Sequence, residues 1–164
     1  MAAADSVTLE YKIKVGYLFK FASFIDWPAN SQPSADSPFV IGVIDGGEAL
    51  PVAKSLLEGT FVDGHPVQVR GLTIDQVGKE ISILFVTRAA GKTPEELRTV
   101  LGGAATLLVG ETDQFAERGG MIGFTREEDK IRLSLNLERA TEVGLKVSSK
   151  LSNVAKLVKS KPNK

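Results

Sequence analysis

The sequence predicts an α/β fold: a single three-layer domain whose mostly parallel central sheet is flanked by helices, with a late antiparallel hairpin. Three observations predict it. Unbroken apolar runs at 39–44, 81–86 and 105–109 read as strands covered on both faces. Helical patterns alternate with those runs, as crossovers between parallel strands require. Late in the chain, 121–125 and 130–135 alternate apolar with polar around Glu127-Glu128-Asp129, the pattern of a β-hairpin. The 164 residues suit one domain able to bury about 70% of its unfolded surface. Residues 8–160 are expected to form it, with 1–7 and 161–164 as flexible ends. There is no internal repeat and no linker long enough to separate two domains.

The first helix is expected over Leu9–Ile25, capped by Ser6 or Thr8 and stopped by Trp27-Pro28, since a residue before proline avoids helical geometry. On it Ile13, Phe24, Tyr17, Phe21, Ile25, Leu18, Tyr11, Ala22 and Val15 span an arc of about 200° at 100° per residue. A helix resting on one sheet needs little more than half of that. This helix is therefore covered on more than one side, by a neighbouring helix or by another chain. Both readings stay open, and Tyr17, Phe21, Phe24 and Trp27 are the candidate dimer or partner residues.

A polar loop at 30–38 leads to a buried strand at Phe39–Ile44 and a helix at about Glu48–Leu57. Short strands follow near Thr60–Val62 and Pro66–Leu72, joined by Asp63-Gly64-His65. After the strand Ile81–Val86, Thr93-Pro94-Glu95-Glu96 opens a helix with a capping threonine, proline first and glutamate three on. Gly102-Gly103 ends that helix, and Ala105–Val109 is the next strand. Thr112–Glu117 reads as a short capped helical turn closed by Gly119. Asn136 caps a short helix ending at Gly144. Ser148 caps the last helix, whose apolar side is Leu151, Val154, Ala155 and Val158.

Composition excludes several functions. Twenty basic residues balance twenty acidic ones, so no net field draws the chain to nucleic acid or anionic lipid. Only the tail is basic, through Lys146, Lys150, Lys156, Lys159, Lys161 and Lys164, the pattern of a solvated helix face and a frayed end. The absence of cysteine removes disulfides, thiol catalysis and thiolate metal sites. No run approaches the roughly 18 apolar residues of a membrane span. The start, MAAADSVTLE, lacks the basic region and apolar core of a signal peptide. It suits a start methionine placed before the small-residue end of a cleaved export signal.

FVIGVIDGGEALPVAKSLL, residues 39–57, has the strand, glycine turn and helix of a phosphate cradle. It lacks G-x-G-x-x-G, and Asp45 and Glu48 flank the glycine pair, where their charge would repel a phosphate. A tight turn with a self-capped helix is the better account. His65 is the only histidine and sits in a D-G-H-P turn, no G-x-S-x-G elbow exists, and zinc would lack ligands. Glu127-Glu128-Asp129 read as solvated hairpin acids. Glu111, Asp113 and Glu117 could pair for acid/base work, yet nothing in the sequence fixes their separation. An enzyme is disfavoured, and no cofactor or metal is expected. Arg118, at the Gly119-Gly120 corner, projects either to a local carboxylate such as Glu117 or Glu111 or to a ligand or partner.

Four segments then stand out in order: Y-K-I-K-V-G-Y-L-F-K-F-A-S-F-I-D-W-P at 11–28, I-L-F-V-T-R at 83–88, F-A-E-R-G-G-M-I-G-F at 115–124, and N-L with G-L-K-V-S-S-K-L at 136–137 and 144–151. Together they resemble the YfiR family of small exported bacterial proteins, from about residue 8 to 158. The resemblance implies a periplasmic α/β protein, commonly dimeric, without catalytic activity. It implies a regulator that represses a membrane-anchored diguanylate cyclase by binding its periplasmic portion, lowering cyclic di-GMP and restraining biofilm growth. It also gives MAAADS a meaning, the mature start left after export with an added methionine. The chain departs from the pattern where some relatives carry E-I-N-L for Ser134–Leu137, and arginine and histidine for Lys146 and Ser148. A pocket built on those groups would be altered here, and the family's cysteines are missing. Two further readings stand beside the regulator. One is a small-molecule sensor module with Arg118, Lys146 and Ser148 near a cleft at the sheet's carboxyl edge. The other is a hydrolase requiring Asp45, His65 or the acids at 111–117 to converge.

Overall fold

The computed structural model describes residues 2–44 and 47–160. Helix α1 runs from Ala2 to Phe24, so Ser6 and Thr8 lie inside it rather than at its cap. Ala2-Ala3-Ala4 are strong helix formers and carry it past the expected start. Its end falls where proline demands: Ile25-Asp26 is already extended as β1, ahead of Trp27-Pro28. Next come β2 (Phe39–Ile44), α2 (Ala49–Leu57), β3 (Phe61–Val62), β4 (His65–Leu72) and β5 (Ile81–Val86). The chain continues through α3 (Pro94–Leu101), β6 (Leu107–Gly110), β7 (Ile122–Glu127) and β8 (Lys130–Leu135). It ends with α4 (Leu137–Glu142), β9 (Lys146–Val147), α5 (Ser149–Ser152) and β10 (Lys156–Leu157). Asp45 and Gly46 of the glycine turn lie outside the described residues.

Eight strands form one sheet in the order β10-β8-β7-β6-β5-β2-β4-β3. Pairing is parallel throughout except at β3–β4 and at the late hairpin β7–β8. Both exceptions are two-residue turns whose central residues take positive φ: Asp63 and Gly64, then Glu128 and Asp129. That is the turn geometry whose twist matches the flanking strands. The expected capping box is present at α3, where Thr93 accepts from Glu96 N–H and the Glu96 side chain returns to Thr93.

The apolar strands feed two clusters by alternation. Ile41, Val43, Ile83, Phe85, Leu107 and Val109 join α1 and α2 in one. Val40, Ile44, Leu84, Val86 and Leu108 join Leu97 and Leu101 of α3 and Phe115 in the other, as does Ile81, which a register shift opposite Val40/Ile41 takes out of the alternation. Period-two alternation into two apolar environments is why these runs read as continuous. The signature segment at 115–124 packs here: a side chain at Gly110 or Gly120 would occupy the space of the Phe115 ring. Asn136, fully buried, ties this segment to the next. It caps α4 by accepting from Arg139 N–H at 3.0 Å and donates to the Ala116 carbonyl at 2.9 Å.

Two local expectations are corrected. Thr112–Glu117 forms turns, not helix, because Gln114 sits at φ 57°, a left-handed value that interrupts the α conformation. The last helix is only Ser149–Ser152, with Ser148 accepting from Lys150 N–H as its cap. Past it, Lys156-Leu157 pairs with Ser134-Leu135 as an edge strand, so Val154 is exposed rather than packed on a helix face.

The helix proposed as a partner surface is covered largely by its own chain. Val15, Leu18 and Phe21 are 0% exposed, beneath α2 and the sheet. Tyr17 and Phe24 are half-buried against the same cluster. The Trp27 ring is buried, meets Phe39 edge-on at 5.3 Å, and donates to the Ser82 carbonyl. Phe21 and Trp27 therefore present no surface to a second molecule in this fold. Among the described side chains of α1, the large apolar ones left exposed are Leu9 and Ile13, at 59% and 45%. Among the described residues, no helix is long and apolar enough to cross a membrane.

Candidate functional site

Parallel α/β sheets bind ligands outside the carboxyl ends of their strands, near the point where strand order reverses. Here the chain leaves β2 for β4 on one side and returns through β5 on the other. Just beyond β5 and β6 stand Arg88 and Glu111, and α1 lies across them. Glu10, Tyr11, Lys14, Arg88, Glu111 and Arg126, with Asp113 and the apolar Phe124 and Ile131, line a cleft of about 450 Å³.

Its centre is a buried ion pair. Lys14 Nζ lies 2.7 Å from Glu111 Oε1 and 2.7 Å from Glu10 Oε2; Lys14 and Glu111 are each 6% exposed. The second Glu111 oxygen accepts from the Tyr11 hydroxyl at 2.8 Å and from the Arg88 backbone N–H at 2.7 Å. Lys14 also lies over the rings of Tyr11 and Phe124, at 5.3 and 5.8 Å from their centroids. Glu10 is closed on its other oxygen by Arg126. A buried charge needs this much company, since its desolvation exceeds what one partner returns.

Titration follows from the arrangement. Burial raises the Glu10 carboxyl, but the Lys14 hydrogen bond and the charges of Lys14, Arg126 and Arg88 outweigh it and hold the group below the usual carboxylate range. Burial, then the charge of Glu111, pushes the Tyr11 phenol above the ordinary tyrosine range. Glu111 accepts from three donors, and Tyr11 stays protonated. The arrangement holds and positions charge at the mouth of the sheet.

Arg118, Lys146 and Ser148 do not line this cleft. Arg118 pairs with Glu95 of α3 through two 3.0 Å bonds. Lys146 is exposed on β9 opposite Asp26, and the Ser148 N–H donates to the Phe24 carbonyl at 2.7 Å. His65 sits elsewhere, its Nδ1 2.9 Å from the Ser37 carbonyl. Of the acids at 111–117, Glu111 and Asp113 reach the cleft and Glu117 does not. Sequence reasoning passed over Glu10, Lys14 and Arg88, although one signal was available. At 100° per residue, Glu10 and Lys14 fall inside the apolar arc of α1, on either side of Phe21. Two charges within an apolar stripe point to buried partners.

A family model described as YfiR/HmsC-like (DUF4154) matches residues 11–156. No curated protein matches the chain. The matched span holds all the strands from β1 to β9, Lys156 of β10 and every cleft residue but Glu10. The chain belongs to the YfiR/HmsC-like family.

Proposed function

We propose that the chain is a non-enzymatic periplasmic regulator of diguanylate cyclase signalling. It binds the periplasmic portion of a membrane-anchored cyclase and represses it by contact, lowering cyclic di-GMP. The family match over residues 11–156 carries this reading. The engagement of Glu111 by the donors of Lys14, Tyr11 and Arg88 is consistent with it, because that carboxylate serves the buried ion pair. Repression by contact is differential binding. Moving a cyclase from equal populations to about 99% inactive takes a roughly hundredfold preference for the inactive form, about 2.7 kcal/mol. The contact face is the outer side of α1, where Leu9 and Ile13 stand one turn apart and exposed. The same face would serve a homodimer.

Co-purification from native membranes tests the proposal. The wild-type chain brings down a diguanylate cyclase, and Leu9→Glu/Ile13→Glu, still folded by circular dichroism, does not. Undiminished recovery with that variant removes the face; recovery of no cyclase removes the function.

A further inference from the structure

The cleft around Glu111 carries a ligand argument that does not depend on cyclase binding. The Arg88 side chain gives one donor to the Glu111 backbone carbonyl at 3.0 Å. Among the described residues, no carboxylate lies within ion-pair range of Arg88. Arg126 uses one guanidinium nitrogen on Glu10, and its side chain is 64% exposed. Both guanidiniums keep N–H groups suited to a planar anion. Tyr11, Phe124 and Ile131 line the same space, whose 450 Å³ falls in the range of small-molecule sites.

The chain supplies a template for the occupant. Glu10, four residues before Lys14 on α1, already places a carboxylate between Lys14 and Arg126, one oxygen to each. The oxygens of Glu10 and Glu111 are each taken by a donor, which leaves a cation only Asp113 among the cleft's acids. A doubly charged phosphate would face Glu10, Glu111 and Asp113 together, a repulsion that a single negative charge halves. We infer that this cleft binds a small organic carboxylate. Its carboxylate engages Arg88 and Arg126 in competition with Glu10, and its apolar part lies against Tyr11, Phe124 and Ile131. The sensor site then sits at Glu111, not at Arg118, Lys146 and Ser148.

Titration of the full chain with sodium hexanoate at constant ionic strength, read by amide NMR, tests this. Hexylamine and inorganic phosphate form the comparison arms. Expected are saturable shifts at Tyr11, Arg88 and Thr125, with none at Lys146 or Ser148. Arg88→Ala keeps the backbone N–H bond to Glu111 and weakens binding about tenfold. Glu10→Gln, which removes the internal competitor's charge, tightens it. Should Arg88→Ala fail to fold, Arg126→Gln at an exposed position gives the same weakening. Absence of saturation, equal binding of hexylamine or phosphate, or unchanged affinity in the folded arginine variants overturns the assignment.

Discussion

Replacing Lys14 with methionine removes one charge from the centre of the cleft and leaves its shape nearly intact. Glu111, 6% exposed, then keeps the Tyr11 and Arg88 donors but loses its only ion-pair partner among the described residues. Breaking one side of a buried pair costs about 3–5 kcal/mol, because the survivor stays charged and dry. For a chain of this size that lowers the melting temperature by about 10 °C. Adding Glu111→Gln removes the stranded charge while preserving an acceptor for Tyr11 and Arg88. The double variant therefore recovers about 1.5 kcal/mol or more relative to the sum of the single losses. The exposed Arg118–Glu95 pair, at 40% and 52% side-chain exposure, is the contrast; breaking it costs less than about 1 kcal/mol. Urea unfolding followed by circular dichroism and by Trp27 fluorescence measures all of these. Additive losses at Lys14 and Glu111, or a loss at Lys14 no larger than at Arg118, would refute the buried-pair reasoning.

Phe21→Glu buries a charge at a 0% exposed position and unfolds the chain, seen as loss of the cooperative thermal transition, whereas Ile13→Glu melts within a few degrees of wild type. Glu10 is held below its ordinary pKa in the fold, so its stabilising share is present above the unfolded value. That share is lost as pH falls through the folded value; acid titrations of stability are flatter below about pH 4.5 in Glu10→Gln than in wild type. Trp27, the only tryptophan and 8% exposed, emits at short wavelength and resists iodide quenching; ready quenching would contradict its packing against Phe39. Asn136→Ala removes both the α4 cap and the bond to Ala116, costing about 2–3 kcal/mol in urea unfolding.

How much of this was legible in the sequence divides by the range of the forces. β2 and β5 fall at their expected boundaries, and the Thr93 capping box and the late hairpin formed as read, because each signal lies within a few residues. The wide apolar arc of α1 was also read correctly as a helix covered on more than one side. Of the two coverings it left open, a neighbouring helix is the one found: α2, the sheet and the α5 segment do most of it, which the stripe alone cannot distinguish from a second chain. The β10 edge strand was missed because its pairing partner is β8, twenty-two residues away by register, while its local pattern continues a helix. Glu111 stood among the candidate acids, yet its partner Lys14 is 97 positions distant. Lysine is exposed by default, and only its place inside the apolar stripe argues otherwise.

The proposed role is repression of a cyclase by this chain from outside the inner membrane. Cellular cyclic di-GMP, measured by mass spectrometry in the source bacterium, tests it most directly. Deleting the gene is predicted to raise the nucleotide, and an exported copy to restore the original level while Leu9→Glu/Ile13→Glu does not. A level that stays the same or falls on deletion would rule out repression by this chain.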